Sequence, residues 1–125
     1  MDKCLILGMN FTIGNVDYIV KNVIERIKIN EKTFIITPNV DFLTRYNQNK
    51  EFKEVCDKAH ISIIDGMPVY WIGKAKGHKD IHRIAGIDFC EELAKKSKEN
   101  NFSLFLLGGE DDVANEAANV LIKKY

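Results

Sequence analysis

The sequence lacks any excess of charge: Lys plus Arg and Asp plus Glu both number 18. No overall field therefore draws it to nucleic acid, and attraction to anions has to be local. It also lacks a long apolar run. No window approaches the roughly 18 residues of a membrane span, and Lys3 is not followed by a signal-peptide stretch. Contact with a membrane is expected only at its surface, from the cytoplasmic side. There is no C-x-x-C pattern. Cys4, Cys56 and Cys90 are odd in number and widely spaced, and read as reduced core thiols. There is no G-x-G-x-x-G either, which disfavours a nucleotide-binding oxidoreductase domain. With no repeat, linker or low-complexity tract, residues 1–125 read as one domain.

The most informative stretch is Ile61 to Pro68, an apolar run that ends abruptly in an acid, a glycine and a proline. Ile61, Ile63 and Ile64 suit a buried strand, Gly66 frees the backbone to turn, and Pro68 suits the first turn of a helix. Asp65 is thereby delivered to a strand end, where open α/β sheets bind their ligands. Thr33 to Thr37, running into Pro38-Asn39, and Phe102 to Leu107, running into Gly108-Gly109, are expected to end at the same edge.

In chain order, Cys4 to Leu7 and Phe11 to Ile13 around Gly8 predict a short hairpin or a bent strand. Val16, Ile19, Val20, Val23, Ile24 and Ile27 lie on one helical face, with Asn15 placed as its cap. Helical pieces are expected at 41–46, 51–59, 69–76, 88–98 and 111–124, and residues 78–85 read as a loop. Strands alternating with helices predict an α/β fold, with a Rossmann-like parallel sheet and helices on both faces.

Several residues have two readings. Asp65 is a general base toward a sugar hydroxyl, or a helix cap. Thr37 and Asn39 hold a polyol, or form a turn closed by an Asx hydrogen bond. Lys74, Lys76, Lys79 and Arg83 face one acid, Asp80, and make the chain's local anion-attracting patch, where Arg83 suits a diphosphate; the alternative is a solvated loop. His78 and His82 lack an evident third metal ligand. Glu110 and Asp112 could pair on a cation, or be acids at a helix start.

Thr37-Pro38-Asn39 with Asp41, Asp65-Gly66-Met67-Pro68-Val69, Arg83-Ile84-Ala85-Gly86-Ile87-Asp88 and Phe105-Leu106-Leu107-Gly108-Gly109 resemble, in order and spacing, the WecG/TagA/CpsF family of bacterial glycosyltransferases. The resemblance implies inverting transfer of N-acetylmannosamine, or a related sugar, from a UDP donor to polyprenyl-diphosphate-linked N-acetylglucosamine. That chemistry serves teichoic acid linkage units, capsule or other surface polysaccharide at the inner face of the cell membrane. It implies Asp65 as the catalytic base and Arg83 as the catalytic cation, which stands in for a metal, so that no metal or other cofactor is expected. Thr37, Asn39, Asp41 and Gly66 would line the substrate pocket, and Gly108 and Gly109 the nucleotide side. Family chains continue through further strand-helix units and a basic membrane-touching segment, so this chain is expected to lack the family's carboxyl-terminal part. An apolar face left open there is expected to favour self-association. The alternative is a non-catalytic module that binds a nucleotide sugar or lipid intermediate.

Overall fold

A computed structural model describes the whole chain, Met1 to Tyr125. Strands β1 (Lys3–Ile6) and β2 (Met9–Thr12) pair antiparallel, with Ile6 opposite Met9. The hairpin turn is Leu7-Gly8, both with positive φ, 49° and 85°. A two-residue turn of that hand matches the twist of the strands, and Gly8 adopts it without a Cβ penalty.

Helix α1 (Val16–Lys28) follows as its apolar spacing predicts. The Asn15 side chain accepts a hydrogen bond from the Tyr18 N–H at 2.9 Å, a cap worth about 1 kcal/mol. Ile19, Val20, Val23 and Ile24 are buried, each stabilising the fold by about 1.5–3 kcal/mol. The next elements are β3 (Ile35–Ile36), α2 (Val40–Gln48), α3 (Lys50–Cys56), β4 (Ile61–Ser62), α4 (Met67–Ala75), α5 (Gly86–Ser97) and α6 (Val113–Lys124).

Strands β3 and β4 pair in parallel, Ile35 beside Ile61 and Ile36 beside Ser62. The chain is thus a mixed α/β structure with one antiparallel hairpin and one parallel pair. The side chains leaving β4 alternate. Ile61 and Ile63 pack with the apolar face of α1 and with Ile84 and Phe89. Ile64 instead joins a second cluster with Ile6 and Phe11 of the hairpin, Leu43 of α2 and Val69 of α4. The buried hydroxyl of Thr12 accepts the Ser62 N–H at 3.1 Å and ties the hairpin to β4.

Three expectations need correction. Residues 78–85 are more than a loop: Arg83 bridges Ile64 in parallel, and the Ile84 N–H donates to the Ile64 carbonyl at 2.8 Å. With only Ile81 and Ile84 buried, the segment shows no period to read. Phe102–Leu107 forms no strand. A strand exists through its partner, and none lies beside this segment; Phe105 is 87% and Leu107 90% exposed. Finally, Cys4 and Cys56 are buried thiols, and burial raises both pKa values, but Cys90 is exposed on α5.

Candidate functional site

Three neighbouring segments run in the same direction, and each opens into a helix. Ile36 leads through Thr37-Pro38-Asn39 into α2, Ile64 through Asp65-Gly66 into α4, and Ile84 through Ala85 into α5. Hydrogen bonds hold them side by side. The Ile63 N–H donates to Ile36 at 2.9 Å and the Asp65 N–H to Pro38 at 3.3 Å, while Ile84 donates to Ile64 on the other flank. Asp65 is therefore the middle strand end of three.

The two readings of Asp65 can now be separated. The N-cap of α4 is Gly66, and no side chain caps that helix, so Asp65 is not spent as its cap. Its carboxylate takes part in no hydrogen bond or ion pair; the side-chain oxygens and nitrogens that are buried all have partners, so the Asp65 oxygens reach solvent. The side chain as a whole is half-buried. A carboxylate that is accessible, unpaired and walled on two sides can take a proton from a hydroxyl group brought to it.

Two glycines set the walls. A Cβ on Gly86, the first residue of α5, would lie 3.6 Å from Asp65 Oδ2, 3.6 Å from Thr37 Oγ1 and 3.5 Å from Thr37 Cγ2. The Asp65 carboxylate and the Thr37 hydroxyl thus border one small space that a glycine keeps open. A Cβ on Gly66 would meet Asn39 Cβ at 3.3 Å, so Asn39 stands directly over the turn that follows Asp65. Gly86 belongs to the sequence motif around Arg83 but was not expected in the site; its signal is a glycine at a helix start facing two polar side chains.

Asn39 makes the side-chain-to-backbone bond of its turn reading. Its Oδ1 accepts the Phe42 N–H at 2.9 Å and caps α2, which leaves its side-chain NH2 group to face solvent. Asp41 lies exposed in the first turn of α2. Arg83 donates from Nε to the backbone carbonyl of Asp65 at 2.8 Å, a bond that fixes the root of the guanidinium beside the acid. No ion pair engages Arg83, so its positive charge remains available at the edge of the crevice. A hollow of about 280 Å³ opens on its other side, between His82, Asp88, Glu92 and Asn15.

Gly108 and Gly109 are not brought to this cluster. Both have positive φ, 106° and 79°; a Cβ at Gly108 would meet nothing within 4 Å, and one at Gly109 only Val113. Asp112 is the N-cap residue of α6, in the left-handed region, without a side-chain cap bond. The His78 ring lies 3.1 Å from the Leu5 carbonyl and pins the hairpin to the end of α4. His, Cys, Asp and Glu side chains nowhere gather in threes as they would around a metal ion.

An unspent acid at the central strand end, a hydroxyl and an amide on one flank and an arginine on the other define an α/β protein with an open polar crevice. The model of the glycosyl transferase WecG/TagA/CpsF family matches residues 4–125, and the chain belongs to that family. Among curated proteins it is similar to N-acetylglucosaminyldiphosphoundecaprenol N-acetyl-beta-D-mannosaminyltransferase from Staphylococcus aureus strains NCTC 8325 and MRSA252. Identity is 28% over 126 residues, covering 98% of this chain and 49% of each relative. The chain spans about half the length of these relatives.

Proposed function

We propose that the chain carries the acceptor side of an inverting glycosyltransferase, which moves N-acetylmannosamine or a related sugar from a UDP donor to polyprenyl-diphosphate-linked N-acetylglucosamine. The observation that carries this reading is the Asp65 carboxylate, unpaired and solvent-reaching between Thr37 and Arg83. Family membership and the names of the relatives support the sugar and the lipid-linked acceptor.

In this reading an acceptor hydroxyl enters the space kept open by Gly86. Asp65 accepts its proton as the oxygen bonds to the anomeric carbon, while the bond from that carbon to the UDP oxygen breaks on the opposite face and the configuration inverts. The electron pair leaves with UDP. Arg83, rooted on the Asp65 carbonyl, offsets the diphosphate charge in the role a metal fills elsewhere. The Thr37 hydroxyl, the Asn39 side-chain amide and Asp41 hold sugar hydroxyls, and Gly66 gives Asn39 its close seat. Gly108 and Gly109 serve the nucleotide; their open, left-handed backbone supports that role.

The parallel strand ends belong to a Rossmann-like sheet in one domain of residues 1–125, with α1 and α5 on one face and α2 and α4 on the other, as the two core clusters support. The protein works at the inner face of the cell membrane, in teichoic acid, capsule or related polysaccharide synthesis. It self-associates through the apolar residues exposed between 104 and 122. A second reading, a module that binds nucleotide sugar or lipid intermediate without turnover, is supported by Gly108 and Gly109 standing apart from the Asp65 cluster. Incubation with UDP-N-acetylmannosamine and a short-chain lipid-diphosphate N-acetylglucosamine, with and without EDTA, separates the two. EDTA-insensitive disaccharide product supports the transferase, whereas binding without product supports the module.

A further inference from the structure

The core of this chain leaves one face of α4 uncovered, directly beyond the crevice. Met67 and Trp71 lie one helical turn apart on that face, 38% and 60% exposed, with Lys74 following at the same side. Lys74 is the only charged residue of the nine in α4. At the carboxyl end of the helix, Lys76 and Lys79 are exposed and Asp80 is the only acid nearby in sequence. The His78 ring draws the edge of β1 against this end, where Leu5 is 57% exposed.

We infer that this face of α4 is a contact surface for an anionic lipid bilayer, with Met67 and Trp71 entering the interface and Lys74 and Lys79, joined by the bond from Lys74 Nζ to the Lys79 carbonyl, meeting the headgroups. An exposed apolar strip rimmed by lysines is the arrangement of an interfacial helix, and tryptophan favours the headgroup level. Lysines of one sign select a negatively charged lipid surface over a second copy of this chain, whose matching face would carry the same charge. The inference deepens the proposed transfer and rests on it for its purpose. Met67 is two residues from Asp65, so a helix lying along the bilayer puts the crevice at the level where a lipid-linked diphosphate emerges.

Trp71 is the only tryptophan in the sequence, so its fluorescence reports this surface alone. Titration with phosphatidylcholine vesicles containing phosphatidylglycerol should shift its emission to the blue, and brominated acyl chains should quench it. Pure phosphatidylcholine should do so much more weakly. The double variant Lys74→Glu and Lys79→Glu, changed at exposed positions, should lower partitioning by about thirtyfold or more. Emission unaffected by anionic vesicles would overturn the inference, as would a blue shift that depends on protein concentration and needs no lipid. The readout requires no turnover. Transfer to a water-soluble acceptor without vesicle binding would remove this inference and leave the transferase standing; vesicle binding without transfer would do the reverse.

Discussion

Gly86→Ala separates a functional space from a structural one. Gly86 does not have positive φ, and its added methyl would stand at ordinary contact distance, 3.5–3.6 Å, from Thr37 and Asp65. The fold can accept it. By restricting the unfolded chain, the substitution should stabilise the protein by about 0.4–1 kcal/mol. The same methyl occupies the space between Thr37 Oγ1 and Asp65 Oδ2. A hydroxyl excluded from both loses one neutral and one charge-assisted hydrogen bond, about 2–4 kcal/mol, so acceptor binding should weaken about thirtyfold or more. Thermal unfolding followed by circular dichroism and calorimetric titration of a lipid-diphosphate N-acetylglucosamine analogue measure the two effects. Gly73→Ala is the contrasting control. Its methyl would lie 2.5 Å from Ile81 Cδ1 and 2.8 Å from Ile6 Cδ1, and should cost about 1–3 kcal/mol of stability by overpacking. A Gly86→Ala protein that binds acceptor like its parent would refute the placement of the acceptor hydroxyl.

Arg83→Ala removes both the charge and the bond to the Asp65 carbonyl, and should lower the transfer rate about a hundredfold; Arg83→Lys should fall between, because it keeps the charge but not the Nε donor. Steady-state rates check this, and equal rates for the Lys and Ala variants would deny the charge a role. Away from the site, hydrogen bonds from Tyr46 and Lys53 hold the Asp57 carboxyl below its usual 3.8. A carboxyl depressed in the folded state adds stability above its unfolded value and loses it as pH falls through the folded one. Between neutral pH and about pH 4 this contribution should therefore hold, and below that it should fade; urea unfolding of Asp57→Asn should show a smaller loss over the acid range than the parent.

The elements legible in the sequence are those whose signal is local. The Asn15 cap and the spacing of Ile19, Val20, Val23 and Ile24 carry α1 unaided, and Gly8 carries the hairpin turn. Gly66 and Pro68 likewise mark the start of α4 after Asp65. What escaped reading depends on partners distant in sequence. Ile84 joins the parallel strands only because Ile64 lies beside it, and Phe102–Leu107, with the composition of a strand, stays unpaired because no neighbour is there to bond it. Asp65 shows both limits. Its position at a strand end is plain from Ile61 to Pro68, but whether it caps α4 or stands unspent is decided by geometry, which gives the cap to Gly66. The part played by Gly86 follows from a contact with Thr37 49 positions away, and no local pattern announces it.

The central claim is that Asp65 takes the proton of the acceptor hydroxyl. The most direct test is transfer from UDP-N-acetylmannosamine to the lipid-diphosphate N-acetylglucosamine analogue by the parent and by Asp65→Asn, an exchange that keeps size and leaves the backbone bonds of residue 65 to Pro38 and Arg83 in place. The account predicts product from the parent and a rate lower by about 10²–10⁴ in the variant, with unchanged unfolding. Equal rates would contradict it.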